Sequence, residues 1–238
     1  NDIKNYAGQV IVTKGTALQT VTTGEDGSAA YTVDLPIANS YYISETQAPY
    51  AYYRNSSDIY SFNFDYLPET TAKASFTHTF ANDRTTAKIH IYKVDKETRK
   101  AVPQGDAKLE GAVYGLYARN DIVHPDGATG IIFHAGDIVA TLTTDEGGNA
   151  EVKNLYLGNY YVKEITPPEG YLLDEEEHDV VCDYEGDLVA EVSRSTTSAE
   201  QVIKQPFQLI KVSDNGDDTE APVLSGAGFR AYLKSSLS

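Results

Sequence analysis

The sequence has very few residues that could cross-link a secreted domain. Of its 238 residues one is a cysteine, Cys182, and methionine and tryptophan do not occur. A single cysteine cannot form an internal disulfide. No run approaches the roughly 18 consecutive apolar residues of a membrane-spanning helix. The sequence shows no signal peptide and does not begin with Met, so we expect a fragment of a longer secreted protein.

Positive charge is also scarce. Lysine and arginine number 19 against 35 acidic residues, which gives a formal net charge of −16. An acidic surface repels the phosphates of nucleic acids and of anionic lipids, so we predict no nucleic-acid partner and no membrane contact. The five histidines are dispersed, and we find neither a phosphate loop nor a catalytic triad signature. We therefore expect no metal, no cofactor and no enzyme.

Short strand-forming runs dominate what is present. The chain has 18 tyrosines, and these cluster with Thr, Val and Ile in short segments separated by Gly, Pro and Asn or Asp. Such residues suit half-buried strand faces. Many short strands with turn residues between them indicate an all-β fold made of sandwiches.

Two internal repeats divide the chain. Tyr41–Pro49 and Tyr160–Pro168 are both alternating segments that end at proline, and Ile89–Asp95 resembles Phe207–Ser213. Repeats of this kind indicate tandem units. We predict a complete domain at 87–204, the C-terminal part of a domain at 1–86 and the N-terminal part of another at 205–238. In the alternative arrangement, the two ends pair to form one discontinuous domain.

Charged and amide side chains recur on the apolar faces of these segments. Because side chains alternate along a strand, Lys93 shares its face with Ile89 and Ile91, and Glu164 shares its face with Tyr160 and Val162. Lys211, Glu45 and Asn82 occupy similar positions. Burying such groups without a partner is costly. Either these faces are exposed, or the groups react with one another.

The recurrence of the lysine and glutamate positions in both repeats favours the reactive interpretation. Burial lowers the pKa of a lysine and raises that of a glutamate, so both groups would tend towards neutrality. A neutral amine is a nucleophile, and a protonated carboxyl group polarises a carbonyl and transfers protons. Held together in a dry core, these groups would form an isopeptide bond between two side chains. That bond would replace the missing disulfide.

Three motifs resemble the Cna protein B-type, SpaA-like (prealbumin-like) repeat domains of Gram-positive surface proteins and pilins. They are Ile91-Tyr92-Lys93-Val94-Asp95, Gly111-Ala112-Val113-Tyr114-Gly115-Leu116-Tyr117 and Glu164-Ile165-Thr166-Pro167-Pro168-Glu169-Gly170-Tyr171. The resemblance implies tandem Ig-like sandwiches. In that family a lysine of the first strand bonds to an Asn or Asp of the last strand, assisted by a glutamate.

The resemblance assigns roles to individual residues. It implies that Lys93 and Lys211 are isopeptide donors, that Glu164 and Glu45 are catalytic acids, and that Asn82 is an acceptor. Asn82 lies 11 residues before Lys93, but the position 11 before Lys211 is Glu200, followed by Gln201. The complete unit therefore departs from the family pattern. Glu200 is its candidate acceptor, and a simple buried ion pair of Lys93 with Glu164 is the alternative.

These observations predict a structural stalk module of a cell-wall-anchored adhesin or pilin on the surface of a Gram-positive bacterium. Its partners would be neighbouring domains of the same polyprotein. The alternative is an adhesive module that binds a host protein or glycan, which an exposed cluster of aromatic residues would favour. An enzyme would require a cleft with convergent polar groups, and the sequence offers none that can be placed.

Overall fold

The computed structural model describes residues 2–33, 35–36, 39–64, 76–214 and 223–232. In these ranges the chain forms thirteen strands and no helix, so no helix there is long and apolar enough to cross a membrane. The strands are β1 Ile3–Lys4, β2 Val10–Val12, β3 Asn39–Ser44, β4 Ile59–Phe64, β5 Thr86–Asp95, β6 Val113–Ala118, β7 Ile122–Val123, β8 Ile131–Phe133, β9 Ile138–Thr143, β10 Asn149–Leu155, β11 Gly158–Thr166, β12 Glu177–Cys182 and β13 Glu191–Glu200. The predicted all-β class is confirmed.

Strands β5 to β13 build a sandwich of two main sheets. One sheet has three strands in the order β10-β5-β13, and the other has four in the order β12-β11-β6-β9. The short strands β7 and β8 form a separate pair. Consecutive strands of this part change repeatedly from one sheet to the other, and the apolar faces of both sheets are buried between them.

The core follows from the alternation in the central strands. In β5, Ala87, Ile89 and Ile91 are fully buried, and Lys93 and Asp95 continue the same inward face. The facing sheet contributes apolar side chains that include Tyr114 of β6 and Tyr160 and Val162 of β11. Since successive strand residues point to opposite faces, the pattern that buries Ile89 and Ile91 also forces Lys93 into the core.

The first and last strands of the sandwich lie side by side. β13 pairs with β5 in parallel over ten residues, from Glu191 opposite Thr86 to Glu200 opposite Asp95. Ser198 is opposite Lys93 in this register. A parallel neighbour can be reached only through a long crossover, which here is the rest of the sandwich. The first and last strands of the unit are thereby held side by side.

Three segments with strand-like alternation do not form strands. The sequence pattern of residues 18–21, 76–82 and 207–213 indicates strands. Within the described residues they lie outside any strand, apart from an isolated bridge between Val212 and Val223. Alternation shows that a segment suits a sheet, but a strand forms only where a neighbour completes its hydrogen bonds.

Gly148 ends the turn that leads from β9 into β10. Its φ is +72°, and a Cβ at this position would lie 2.7 Å from the carbonyl oxygen of Lys93 and 3.3 Å from Leu109. The backbone nitrogen of Lys93 donates to the Gly148 carbonyl at 2.7 Å. The turn is thus packed directly on the backbone that positions Lys93.

We expect Gly148→Ala to destabilise the sandwich by about 2–4 kcal/mol, because it combines an unfavourable positive φ with a backbone clash. Gly127→Ala is the matched control. Its φ is +70° but its Cβ would meet nothing within 4 Å, so only the conformational cost of about 1–2 kcal/mol applies. Urea unfolding measures both changes. Equal losses would show that the contact with Lys93 is unimportant.

Candidate functional site

Lys93, Glu164 and Glu200 converge in the core of the sandwich. They come from β5, β11 and β13, and their side chains are 0%, 0% and 1% exposed. The inward faces of β5 and β11 bring the first two together across the sheets. The parallel pairing of β13 with β5 adds Glu200 to the site, because Ser198 and Glu200 are the buried residues at the end of β13.

The lysine amine lies between the two carboxyl groups. Its Nζ is 3.7 Å from Glu164 Oε1 and in direct contact with Glu200 Oε2. Within the described residues none of these three atoms has a hydrogen-bond partner. The ring of Tyr171 covers the amine, with Nζ 4.8 Å from its centroid. The amine is therefore held between two carboxyl groups and an aromatic ring.

Burial shifts the pKa values of the site towards neutral groups. Loss of solvation lowers the pKa of Lys93 to about 8, while the charges of Glu164 and Asp174 act in the opposite direction. Desolvation also raises the pKa of Glu164, although the backbone N–H of Asp174 and the nearby lysine counteract it. Both shifts favour the uncharged pair of an amine and a carboxylic acid.

The second oxygen of Glu200 is held by hydroxyl groups. Oε1 accepts a hydrogen bond of 2.7 Å from the Tyr114 hydroxyl and lies 3.1 Å from Ser198 Oγ. Ser198 Oγ also lies 2.8 Å from Asp174 Oδ2. The two carboxylate oxygens thus differ, because Oε1 faces hydroxyl groups and Oε2 faces the amine.

Asp174 connects the site to the surface. Its backbone N–H donates to Glu164 Oε2 at 2.8 Å, and its Oδ2 pairs with His178 Nε2 at 2.8 Å. Burial acts to raise the pKa of Asp174, but the hydrogen bonds from His178 and Ser198 outweigh it, so the pKa lies below its usual value. Asp174, Glu176 and His178 offer ligand atoms within 4.8 Å of one another. Since Oδ2 is already bonded twice, we interpret the group as a hydrogen-bond network.

Sequence reasoning did not identify Tyr114, Ser198 or Asp174 as part of the site. A signal existed for Tyr114, which lies in the Gly111–Tyr117 motif, and for Ser198, which is two residues before Glu200 on the same strand face. No signal singles out Asp174 from the acidic run that follows it, because its contribution depends on how the loop folds back.

A second cluster lies near the end of the first part of the chain. The Asn82 side-chain amide donates to Glu45 Oε2 at 2.7 Å and to the Tyr53 carbonyl at 3.1 Å. Both Asn82 and Glu45 are half-buried. Lys211 is not part of this cluster. It is exposed, and its Nζ donates to the Val212 carbonyl at 2.6 Å. The structure therefore brings the predicted acceptor Asn82 and the predicted catalytic acid Glu45 together, and it places the predicted donor Lys211 elsewhere.

Comparisons with known proteins identify a family. The model of the SpaA prealbumin-like fold domain matches residues 2–78 and 87–196. No curated protein matches the chain. Solved structures with similarity include the Bacillus anthracis TIE protein, with 25% identity and a TM-score of 0.52 over 78% of this chain and 29% of that one.

Two streptococcal pilins have weaker similarity. The group B streptococcus pilus 2b backbone protein has 21% identity and a TM-score of 0.35, over 51% of this chain and 43% of that one. GBS52, the minor pilin of Streptococcus agalactiae, has 21% identity and a TM-score of 0.35, over 79% and 70%. The chain spans less than a third of the TIE protein and less than half of the pilus 2b protein.

We expect Tyr114→Phe to destabilise the sandwich by about 1–3 kcal/mol, because it removes a hydrogen bond to a buried carboxyl oxygen. Tyr117→Phe makes the same chemical change on the same strand, at a half-buried ring that stacks on Tyr161. It should cost less than about 0.5 kcal/mol. Urea unfolding of both variants gives the comparison. Equal effects would mean that the Tyr114 hydroxyl does not support Glu200.

Proposed function

Because the chain belongs to the SpaA prealbumin-like fold domain family, we propose that residues 87–204 form a load-bearing stalk module of a surface protein or pilin of a Gram-positive bacterium. We propose further that an isopeptide bond between Lys93 and Glu200 closes the module. The observation that carries this proposal is the convergence of Lys93, Glu164 and Glu200, fully buried, at the junction of the first and last strands.

The bond would form by condensation of an amine with a carboxylic acid. Proton transfer within the site gives neutral Lys93 and a protonated carboxyl group. Lys93 Nζ then attacks Glu200 Cδ, and the Cδ–Oε2 bond breaks as water leaves. Glu164 accepts the proton released by the amine and delivers one to the departing oxygen. The reaction consumes no cofactor and happens once per molecule.

The two environments of the Glu200 carboxyl group suit this reaction. Attack on Cδ places negative charge on one oxygen of the tetrahedral intermediate. Oε1 accepts a hydrogen bond from the Tyr114 hydroxyl, and a preorganised donor stabilises such a developing charge. Oε2 contacts the amine, and the same amine lies 3.7 Å from Glu164 Oε1, the group from which the leaving oxygen would receive its proton.

The position of the bond suits a stalk. Tension along the chain enters the module at β5 and leaves it at β13, and these strands are adjacent and parallel. A covalent link from Lys93 to Glu200 would carry the tension directly between them. The segment between these residues, which contains most of the sandwich, would then be protected from mechanical unfolding.

Contacts with the preceding part of the chain support a stiff rod. The Arg54 guanidinium pairs with Asp187 at 3.0 Å, and the backbone N–H of Ala48 donates to the same carboxylate at 3.1 Å. The rings of Tyr50 and Tyr184 meet edge to face at 4.9 Å. These contacts limit bending between the two parts, and they are what neighbouring domains of one polyprotein would use.

An adhesive role is the second candidate. The observation that favours it is a cluster of stacked rings on one face, in which Phe62 and Phe76 lie 5.1 Å apart and Tyr60 and His78 lie 3.9 Å apart. Phe76 remains 48% exposed. Exposed aromatic groups suit contact with a host protein or glycan.

Intact mass under denaturing conditions tests the isopeptide proposal. We expect the purified chain to be lighter than its sequence by one water, and peptide mapping to join Lys93 to Glu200. Glu164→Gln should fold but retain the full mass, because the proton-transfer group is lost. Glu146→Gln, an exposed turn residue, should lose the water normally. A parent chain that retains its full mass would contradict the proposal, because Lys93 would then be only a member of a buried ion pair.

The rate of bond formation should be constant near neutral pH and should decrease at alkaline pH. The reactive form pairs a neutral amine with a protonated carboxyl group, so it has the same number of protons as the ion pair. Its population is constant between the pKa of the acid and that of Lys93, and falls when Lys93 and the carboxyl groups are all deprotonated. With Lys93 titrating at about 8, the rate should decrease above pH 8.

Unreacted chain collected in denaturant can be refolded at pH 6 to 10 and quenched in acid, and the fraction that has lost water measured by mass. We expect similar rates from pH 6 to 8 and about a tenfold decrease per pH unit well above 8. A rate that keeps rising to pH 10 would contradict a protonated carboxyl group as participant.

A further inference from the structure

The Ser198 hydroxyl lies between two carboxyl groups with different parts in the site. Its Oγ is 2.8 Å from Asp174 Oδ2 and 3.1 Å from Glu200 Oε1. Ser198 is fully buried, and it faces the core because it lies two residues before Glu200 on β13. A serine hydroxyl has one hydrogen to donate. The relative charge of the two oxygens therefore decides which of them receives it.

Before any reaction Asp174 is the stronger acceptor. It is ionised, because the hydrogen bonds from His178 and Ser198 hold its pKa below the usual value although burial acts to raise it. Glu200 enters the condensation as a carboxylic acid, and its Oε1 already accepts from the Tyr114 hydroxyl at 2.7 Å. Hydrogen bonds to an ionised acceptor are shorter and roughly twice as strong as those between neutral groups. We therefore expect the Ser198 hydrogen to face Asp174 in the unreacted protein.

Asp174 has further donors that remain when the serine hydrogen turns away. His178 Nε2 lies 2.8 Å from Oδ2, and the backbone N–H of Glu176 donates to Oδ1 at 3.1 Å. The His178 side chain is 18% exposed, so it reaches Asp174 from the surface. A buried carboxylate that keeps two donors is not left unsatisfied when a third one leaves. The release of Ser198 thus depends on the contact between Asp174 and His178.

The loop that carries Asp174 is fixed against the site. The backbone N–H of Asp174 donates to Glu164 Oε2 at 2.8 Å. Two residues earlier, the backbone N–H of Leu172 donates to the Gln201 carbonyl at 3.0 Å, which ties the loop to the segment that follows Glu200. The carboxylate of Asp174 is therefore held in place on both sides, and the hydroxyl hydrogen is the part of this network that is free to rotate.

Attack of Lys93 on Glu200 reverses the order of the two acceptors. As the amine bonds to Cδ, negative charge develops on Oε1, which becomes the more strongly charged neighbour of Ser198. Rotation about the Cβ–Oγ bond brings the hydrogen to Oε1. Because Oγ is already 3.1 Å from that oxygen, no heavy atom has to move. An interaction that is stronger in the transition state than in the ground state accelerates the reaction.

We propose that Ser198 is a further catalytic residue of the condensation, whose hydrogen turns from Asp174 to Glu200 Oε1 as the bond forms. Asp174 and His178 are positioning residues. Asp174 holds the hydroxyl before the reaction, and His178 keeps Asp174 bonded when the hydroxyl turns. The O–H bond of Ser198 stays intact, and its hydrogen returns to Asp174 when water has left. This role rests on the condensation proposed for Lys93 and Glu200.

Rates of water loss test the role of Ser198. Unreacted chain is refolded at pH 7, quenched in acid and weighed by mass spectrometry. We expect Ser198→Ala to react about 100-fold more slowly than the parent, since removal of one oxyanion donor costs about this much. Ser195→Ala is the matched control, because it makes the same change at an exposed position of the same strand, and it should react at the parent rate. A Ser198→Ala chain that reacts as fast as the parent would overturn the proposal.

Two substitutions of His178 separate positioning from packing in the same assay. His178→Gln keeps a side-chain N–H that can donate to Asp174, whereas His178→Phe keeps a ring without a donor. We expect His178→Gln to react within about threefold of the parent and His178→Phe about tenfold more slowly, because the Ser198 hydrogen would then leave a carboxylate with only one other donor. Equal rates for the two variants would show that His178 acts through packing alone and would overturn its positioning role.

The parent chain distinguishes a failure of this role from a failure of the condensation. A parent that never loses water overturns the bond between Lys93 and Glu200, and the role of Ser198 with it. A parent that loses water at a rate which Ser198→Ala does not change overturns the role of Ser198 alone and leaves the bond in place. A parent that reacts, with Ser198→Ala slow and Ser195→Ala normal, supports both.

Discussion

The structure depends on one buried interaction, the contact of the Lys93 amine with the carboxyl groups of Glu164 and Glu200. Placing an ammonium group and two carboxylates in a core is unfavourable unless they neutralise one another. The sandwich achieves this by aligning β5, β11 and β13 so that the amine lies between the two carboxyl groups. The Asp174 N–H donates to the second oxygen of Glu164, and the Tyr114 hydroxyl donates to the second oxygen of Glu200. A condensation of Lys93 with Glu200 would remove the charges of these two groups and with them most of that cost.

The topology places this interaction between the strands that would carry tension through the module. A chain with one cysteine cannot resist extension through disulfides. Parallel pairing of β5 with β13 places the first and last strands of the module side by side, and the three buried groups lie where these strands meet the facing sheet. An isopeptide bond there would be enclosed by the core, so water could not reach it and hydrolyse it. Stability and load-bearing capacity would then depend on the same three side chains.

Sequence patterns predicted the all-β fold because alternation and turn residues are local. They also singled out Lys93 and Glu164, since a charged residue on an apolar strand face is visible without a structure, and the 11-residue spacing pointed to Glu200. Asp174 could not be found this way, because its position depends on the path of a loop. The segments at 76–82 and 207–213 have the alternation of strands but form none in the part of the chain that the structure describes, because a local pattern carries no information about strand pairing.

Single-molecule force spectroscopy tests the mechanical claim most directly. The sandwich is extended between handles attached before β5 and after β13. With the bond in place, the segment between Lys93 and Glu200 should never extend, whereas Lys93→Ala should release roughly 100 residues, or roughly 350 Å of chain. A parent chain that shows the same long extension as Lys93→Ala would contradict the account, because its first and last strands would not be covalently joined.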